Sequence, residues 1–301
     1  MSQRNLFQDS EKYDQFEVDG YVTIDLFTDN ELDHISSIFH HYFPTTPPAF
    51  FSSSYLSDFK LKLEISQKIE AIMVPKLEQH FKDFRCIGAA FLSKAADEHS
   101  TLPMHQDWTI VDETKYLAAN IWTPVTEPSN TNGTLEVLPG SHKTFRTLRA
   151  PTVPFSGNNL RDEIKPHMVS LYPKRGEAVI LDQALVHYSS MNRSKEPRLA
   201  FTTGLISQNA ALHFHYWDKT TGELEKFAME DDFLFRWKNF HEDIFKRPTF
   251  GTSMGKQAFE PTLFNHEDLK KTLPIESQAS AFTKQAHPSL VRRLKEKWFN
   301  T

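Results

Sequence analysis

The segment Met104-His105-Gln106-Asp107-Trp108 sets an imidazole and a carboxylate two residues apart. In an extended strand side chains alternate with period two, so His105 and Asp107 point to one face and converge on one point. A third ligand for a metal there must come from elsewhere. His187, in the strand-like run Leu185-Val186-His187-Tyr188-Ser189, is the best candidate. Two imidazoles and one carboxylate leave three positions of an octahedral ion open. That is the donor set of non-haem Fe(II) oxygenases, whose open positions take a cosubstrate and O₂. Fourteen histidines make a chance His-x-Asp pairing common, and an isolated strand histidine is more often structural. The reading gains weight from Arg198, eleven residues after His187 and separated from it by the turn-like Asn192–Pro197. This spacing predicts that Arg198 starts a strand beside that of His187 and faces the same cavity. A guanidinium there can hold a carboxylate in a two-point fork. Taken alone, Arg198 reads sooner as half of a surface salt bridge; with the triad, the cavity reading is preferred.

The elements that must position these groups are legible in outline. Residues 20–27 (GYVTIDLF) read as a strand, and Thr28 and Glu31 have capping-box spacing before a helix carrying Leu32, Ile35, Phe39 and Tyr42. Residues 44–58, with Pro44, Pro47, Pro48 and a serine run, read as a loop. Ile69, Met73, Leu77 and Phe81 recur at every fourth position and predict a second helix, kinked or restarted at Pro75. From about 84 to 217 the pattern becomes short β-type runs at 84–93, 117–123, 133–138, 177–182, 185–189, 198–206 and 212–217. Tight turns without intervening helices predict an antiparallel sandwich or barrel, with the leading helices packed outside one sheet. Residues 218–284 carry short mixed segments, and 289–298 (SLVRRLKEKW) read as an amphipathic helix with a solvated charged face. The expected organisation is one domain over 1–301, with a helical part to about 83, a β core over about 84–217 and a C-terminal extension from about 218.

Composition removes several functional classes. The chain has 301 residues, 39% hydrophobic and 24% charged, with a net charge of -5. That balance lacks the basic excess of a general nucleic-acid or membrane-surface binder. A single cysteine, Cys86, excludes an intramolecular disulfide, thiolate zinc clusters and cysteine-ligated iron–sulfur sites within one chain. No apolar run approaches the ~20 residues that span a bilayer. The polar start, MSQRNLFQDSEKYDQF, carries no apolar signal core, so a cytoplasmic location is expected. No obligate protein partner is evident.

Beyond these readings, the chain resembles the phytanoyl-CoA dioxygenase family of Fe(II)/2-oxoglutarate oxygenases from about Phe16 to about Ile206. The resemblance rests on FEVDGYVTIDLFTDNEL, MHQDW, NGTLEVLPGSH (132–142) and GEAVILDQALVHYSSMNRSKEPR (176–198). It implies that His105, Asp107 and His187 hold iron and that Arg198 binds the distal carboxylate of 2-oxoglutarate. Ser189 matches a family serine beside the cosubstrate, and Trp122 a tryptophan lining the same pocket. The implied fold is mainly β with flanking helices around a double-stranded β-helix, the jelly-roll core of cupins. Asn120 and Trp122 share one face of their strand, so Asn120 is a further cavity candidate; a core Trp and a turn-facing Asn is the other reading. His142, in the turn-like Leu138–His142, is assigned a structural role.

The expected cofactors are Fe(II), 2-oxoglutarate and O₂, and the expected reaction is hydroxylation of a small molecule at an unactivated C–H with release of succinate and CO₂. A cupin-like metalloenzyme without 2-oxoglutarate and a non-catalytic metabolite-binding protein are the alternatives. A small polar or natural-product-like metabolite is the expected substrate. Residues 44–58 and 144–164 are long connections that would shape the entrance, with Trp108, Phe155, Arg146, Arg149 and Arg161 as candidate contacts.

Overall fold

The computed structural model describes residues 4–273, so the helix expected at 289–298 lies outside the described residues. Thirteen strands are present among them: β1 (Tyr21–Asp25), β2 (Phe50–Ser52), β3 (Phe84–Lys94), β4 (Leu102–His105), β5 (Ala118–Pro124), β6 (Glu136–Val137), β7 (Val169–Ser170), β8 (Glu177–Asp182), β9 (His187–Ser189), β10 (Arg198–Ser207), β11 (Leu212–Asp218), β12 (Glu223–Met229) and β13 (Thr252–Ala258). Helices α1 (Ser10–Asp19), α2 (Asp29–Tyr42) and α3 (Phe59–Leu77) precede the core. The short helices α4 (Ser141–Thr144), α5 (Arg161–Ile164), α6 (Phe240–Asp243) and α7 (His266–Thr272) follow within or after it.

An antiparallel six-stranded sheet in the order β1-β8-β5-β10-β3-β2 faces a four-stranded sheet β4-β9-β6-β7, the arrangement of a double-stranded β-helix. Alternation explains why the large sheet reads as almost continuous apolar sequence. Ala119, Ile121, Ile180, Phe201 and Phe91 point to the helices, where Phe16, Leu32, Ile35, Phe39, Ile65, Ile69 and Met73 cover them. Trp122, Val179, Leu181 and Ala200 point the other way and pack on Leu135, Val137 and Leu185 between the sheets. Each fully buried Phe, Ile or Leu contributes on the order of 1.5–3 kcal/mol. These two apolar layers fix the register that aims every intervening polar residue into the sandwich.

Local signals set the helix ends. In α2 the Thr28 N–H donates to Glu31 Oε2 at 2.9 Å and the Glu31 N–H to Thr28 Oγ1 at 3.4 Å, the reciprocal capping box. The expected helix at 69–81 differs from what forms: α3 starts at Phe59, capped by Asp58, and runs through Pro75 to Leu77. Pro75 sits in the last turn, where a missing N–H costs one bond and the helix simply ends. Helix α1 was not legible as a helix; Asp9 caps it, and Gly20 ends it at φ 81°. A Cβ on Gly20 would lie 2.4 Å from His142 Nδ1. His142 therefore packs on that bare backbone, with its Nε2 3.2 Å from the Glu17 carbonyl.

Two expectations about connections are corrected. Residues 44–58 are not all loop, because Phe50–Ser52 pairs with β3 as an edge strand. Residues 144–164 pack against the core and contribute no lining to the cavity at His105 and His187. Phe145, Leu160 and Ile164 are buried with Met104, Val186, Phe264 and Leu269 in a cluster of their own. The region after 218 is also more than short mixed segments: β11, β12 and β13 form a third sheet, and Phe214, Phe227, Phe233 and Trp237 join Ile87, Ile110 and Ile206 in a further apolar cluster.

Lys62 of α3 ties this later region to the helical layer. It is 1% exposed, and its Nζ donates to the Trp237 carbonyl at 2.6 Å. Burial pulls its pKa down to about 8 despite the nearby Asp58. Below pH 8 the folded protein carries the buried charge at full cost. Between pH 8 and the unfolded value near 10.5 the unfolded chain binds the extra proton, so stability rises with pH across that window. Urea midpoints measured at pH 7.5 and 9.5 should therefore rise more in the wild type than in Lys62→Met; equal changes would remove Lys62 as the cause.

Candidate metal centre

Strands β4 and β9 run antiparallel with His105 directly opposite His187. Their ring centroids lie 4.2 Å apart. One ligand atom each from His105, Asp107 and His187 falls within 4.8 Å of the others, a group of the right size and chemistry to hold a metal ion. His105 Nδ1 lies 2.7 Å from the Pro103 carbonyl and His187 Nδ1 2.9 Å from the Leu185 carbonyl. Each Nδ1–H is thus committed as a donor, which leaves the Nε2 lone pair for a ligand. Burial, then the neighbouring His187, lowers the His105 pKa to about 4, so this ring is neutral at physiological pH.

Asp107 arrives by a different route from the one alternation suggests. Strand β4 ends at His105, and Asp107 lies in the segment that follows. Its backbone N–H donates to the Gln183 carbonyl at 3.0 Å, and its carbonyl accepts from Arg149 Nε at 2.7 Å. Asn120 Nδ2 donates to Asp107 Oδ2 at 2.5 Å. Asp107 is thus held at three points, two on its main chain and one on its carboxylate, with Oδ1 left for a ligand role. Gln106 turns away and donates to the Phe145 and Ala184 carbonyls.

Arg198 is not on a strand beside His187. It begins β10, in the large sheet between β3 and β5, and approaches the histidines from the opposite wall. It is 2% exposed, and its Nε has no hydrogen-bond partner among the described residues. Its guanidinium lies 5.5 Å from the Trp122 ring centre. Burial lowers its pKa to about 10, and among the described residues no carboxylate offsets the shift. Opposite it in register is Lys94, also fully buried, whose Nζ donates to the carbonyls of Ser100, Ser189 and Ser190 at 2.6, 3.0 and 2.6 Å. Burial and then Arg198 pull the Lys94 pKa down to about 6.

A cavity of about 210 Å³ joins these groups, lined by His105, Asp107, His187, Asn120, Trp122, Ser189 and Arg198. A second arm of about 190 Å³ opens from Asp107 and Asn120 and includes Trp108. From the segment 44–58, Phe50, Ser52, Ser54 and Tyr55 line the first arm. The other proposed contacts are placed elsewhere. Arg146 pairs with Asp182 at 2.6 Å and Glu113 at 3.4 Å, and Arg149 is locked to Glu113. Arg161 donates to the Met104 carbonyl at 2.7 Å and lies over the Phe155 ring, which belongs to the outer cluster. The ion pairs behind Asp107 thus use the arginines that the sequence suggested for substrate. Phe240, Leu234 and Thr202 line the cavity without having been singled out; a lone aromatic in an irregular segment gives no periodic signal.

Residues 51–200 match the family model described as phytanoyl-CoA dioxygenase (PhyH). A curated relative, the phytanoyl-CoA dioxygenase domain-containing protein 1 homolog of Dictyostelium discoideum, is 31% identical over 127 residues, which are 40% of this chain and 45% of that protein. The match therefore spans less than half the length of that relative. Among solved structures, HygX from Streptomyces hygroscopicus with nickel and 2-oxoglutarate bound is similar at 15% identity and TM-score 0.47, over 65% of this chain and 86% of that one. EvdO2 from Micromonospora carbonacea var. aurantiaca is similar at 18% identity and TM-score 0.49, over 69% of this chain and 94% of that one. The stretch matched by the family model contains His105, Asp107, His187 and Arg198, and the chain belongs to the phytanoyl-CoA dioxygenase family.

Proposed function

We propose that this protein is an Fe(II)- and 2-oxoglutarate-dependent oxygenase that oxidises a small molecule, most simply by hydroxylation. The observation that carries the reading is Arg198: a guanidinium buried without a counter-charge among the described residues, across a cavity from three convergent metal-type ligands. Leaving such a charge unpaired is costly, and an anion in the cavity would relieve it. In this reading Nε2 of His105 and of His187 and a carboxylate oxygen of Asp107 hold the metal. Asn120 fixes the Asp107 carboxylate, and Arg198 clamps the distal carboxylate of 2-oxoglutarate, with Trp122 and Ser189 against its chain. Bound iron would supply oxidation of a C–H bond by O₂, with 2-oxoglutarate leaving as succinate and CO₂. The protein's own share is orientation: the two inner faces of the sandwich exclude bulk water and hold the cosubstrate carboxylate fixed against the metal.

A cupin-type metalloenzyme without this cosubstrate would have no use for Arg198, and a metabolite sensor would not need an ordered ligand triad. Succinate formation from 2-oxoglutarate separates them. Purified protein with Fe(II) and 2-oxoglutarate should form succinate slowly in the absence of a substrate and faster with one. Protein that binds both Fe(II) and 2-oxoglutarate yet forms no succinate above a metal-free control, across a broad substrate panel, would leave only the sensor reading. Part of the proposal is also that 1–301 acts as one domain in the cytoplasm. Apolar clusters that join the third sheet to the core support the first point. Among the described residues no helix is long and apolar enough to cross a membrane.

A further inference from the structure

The cavity has two arms that meet at Asp107, and they differ in charge. The first ends on Arg198. Among the described residues lining the second, Asp107 is the only ionisable side chain. Its walls are Trp108, Ile110, Ile87, Leu234 and Phe240. The floor is hydrocarbon because two glycines lie there. Gly88 adopts φ 65°, and a Cβ on it would meet Leu234 Cδ1 at 2.5 Å. A Cβ on Gly204 would meet Ile87 Cγ1 at 2.7 Å. Both apolar side chains therefore pack directly onto backbone where β10 and β3 slip register between Thr202 and Gly204.

One residue lining this arm, Gln183, carries a buried side-chain oxygen, Oε1, without a partner among the described residues. The residue is 4% exposed. A buried amide without a partner points to a ligand group that completes it. The residue's main chain is already occupied, its carbonyl accepting from Asp107 N–H.

Resting on the oxygenase reading above, we propose that the second arm binds the primary substrate and takes an uncharged, largely apolar group bearing one hydroxyl or amide that pairs with Gln183. Its volume of about 190 Å³ suits a single ring or a short branched chain; an apolar cavity of ~150 Å³ accepts benzene. Away from the metal at its mouth, an anion in this arm would meet no basic side chain among the described residues. Arg198 lies at the end of the other arm, committed to the cosubstrate, and Arg146 and Arg149 are paired with Asp182 and Glu113. The small polar or natural-product-like metabolite expected from the sequence is narrowed in this proposal to a largely apolar one with a single neutral handle.

Three probes of matched size test this on the whole protein loaded with Zn(II) and saturating 2-oxoglutarate, which supports no turnover: 2-phenylethanol, phenylacetate and ethylbenzene, titrated by ligand-observed NMR. The alcohol should bind at least about tenfold tighter than the carboxylate, because a buried unpaired anion loses its hydration. Gln183→Met should weaken the alcohol about three- to tenfold, the range of one neutral hydrogen bond, and leave ethylbenzene unchanged. Phenylacetate binding as well as the alcohol, or the alcohol displacing 2-oxoglutarate, would overturn the assignment without touching the oxygenase reading. Failure of the Zn(II)-loaded protein to bind 2-oxoglutarate would instead overturn that reading, and the substrate arm with it. The wild-type comparison of alcohol with carboxylate stands even if Gln183→Met fails to fold.

Discussion

Replacing His187 with Ala should lower affinity for Mn(II), a redox-inert stand-in for Fe(II), by more than about a hundredfold and abolish succinate formation. The same holds for His105→Ala and Asp107→Ala. The scale follows from the neighbours: partners that only orient a metal ligand typically cost ~10–100-fold when lost, and removal of the ligand itself costs more. Asn120→Ala, which removes the bond to Asp107 Oδ2, should therefore fall within that lower range. Folding should be little affected. The two rings and the carboxylate border a cavity, and their bonds to other residues are few: each ring nitrogen Nδ1 reaches a carbonyl two residues away in its own strand region. Isothermal titration with Mn(II), with a thermal unfolding scan on each variant, reads both effects. Unchanged affinity in all three ligand variants would reject the site. Unfolding of all three would show instead that the groups are structural.

The residues of this site were legible in the sequence more readily than the path that brings them together. The His-x-Asp spacing suggested a shared strand face, yet β4 stops at His105. What turns Asp107 inward is its main chain, held by Gln183 and Arg149, residues seventy-six and forty-two positions later. Long-range main-chain bonds leave no trace in local pattern. Arg198 shows the same limit: a turn followed by a strand reads as a hairpin, but here the chain passes from β9 in the small sheet to β10 in the large one. Period-two patterning says which side chains share a face and is silent on which sheet a strand joins. In a two-sheet sandwich that choice decides whether two residues sit side by side or face to face.

The strongly patterned elements were easier. β5, β8 and β10 are buried on both faces and read as strands in almost their full extent, and α2 was announced by its capping box. The arginines of 144–164 misled for a physical reason. A basic residue in a long connection looks available, but Arg146 and Arg149 neutralise Glu113 and Asp182, buried carboxylates that the sequence gives no means of pairing in advance.

Arg198 carries the cosubstrate assignment, and its replacement should have two effects of opposite sign. In the protein without ligand its guanidinium is buried with no counter-charge and with Nε unpartnered. Breaking up such an arrangement by an apolar residue of similar length removes a desolvation cost, so Arg198→Met should leave the unfolding temperature of the ligand-free protein unchanged or raised. Binding of 2-oxoglutarate should suffer in the same variant. A charge-assisted hydrogen bond contributes roughly 1.5–3 kcal/mol, so losing the two-point clamp should weaken the cosubstrate by on the order of ten- to a hundredfold or more. Arg198→Lys should recover only part of this, because an ammonium cannot reproduce the planar fork. Metal affinity should be unchanged in both, since Arg198 belongs to the opposite sheet and offers no ligand atom. The two effects meet in one measurement. In the wild type, 2-oxoglutarate with Mn(II) should raise the unfolding temperature, by about 2.7 kcal/mol of added stability at a hundred times its dissociation constant. In Arg198→Met that increment should shrink or vanish while the starting temperature holds. A variant that loses stability without ligand yet keeps the full increment would make Arg198 a structural residue. It would also leave 2-oxoglutarate without the group that selects it over a plain metal-bound water.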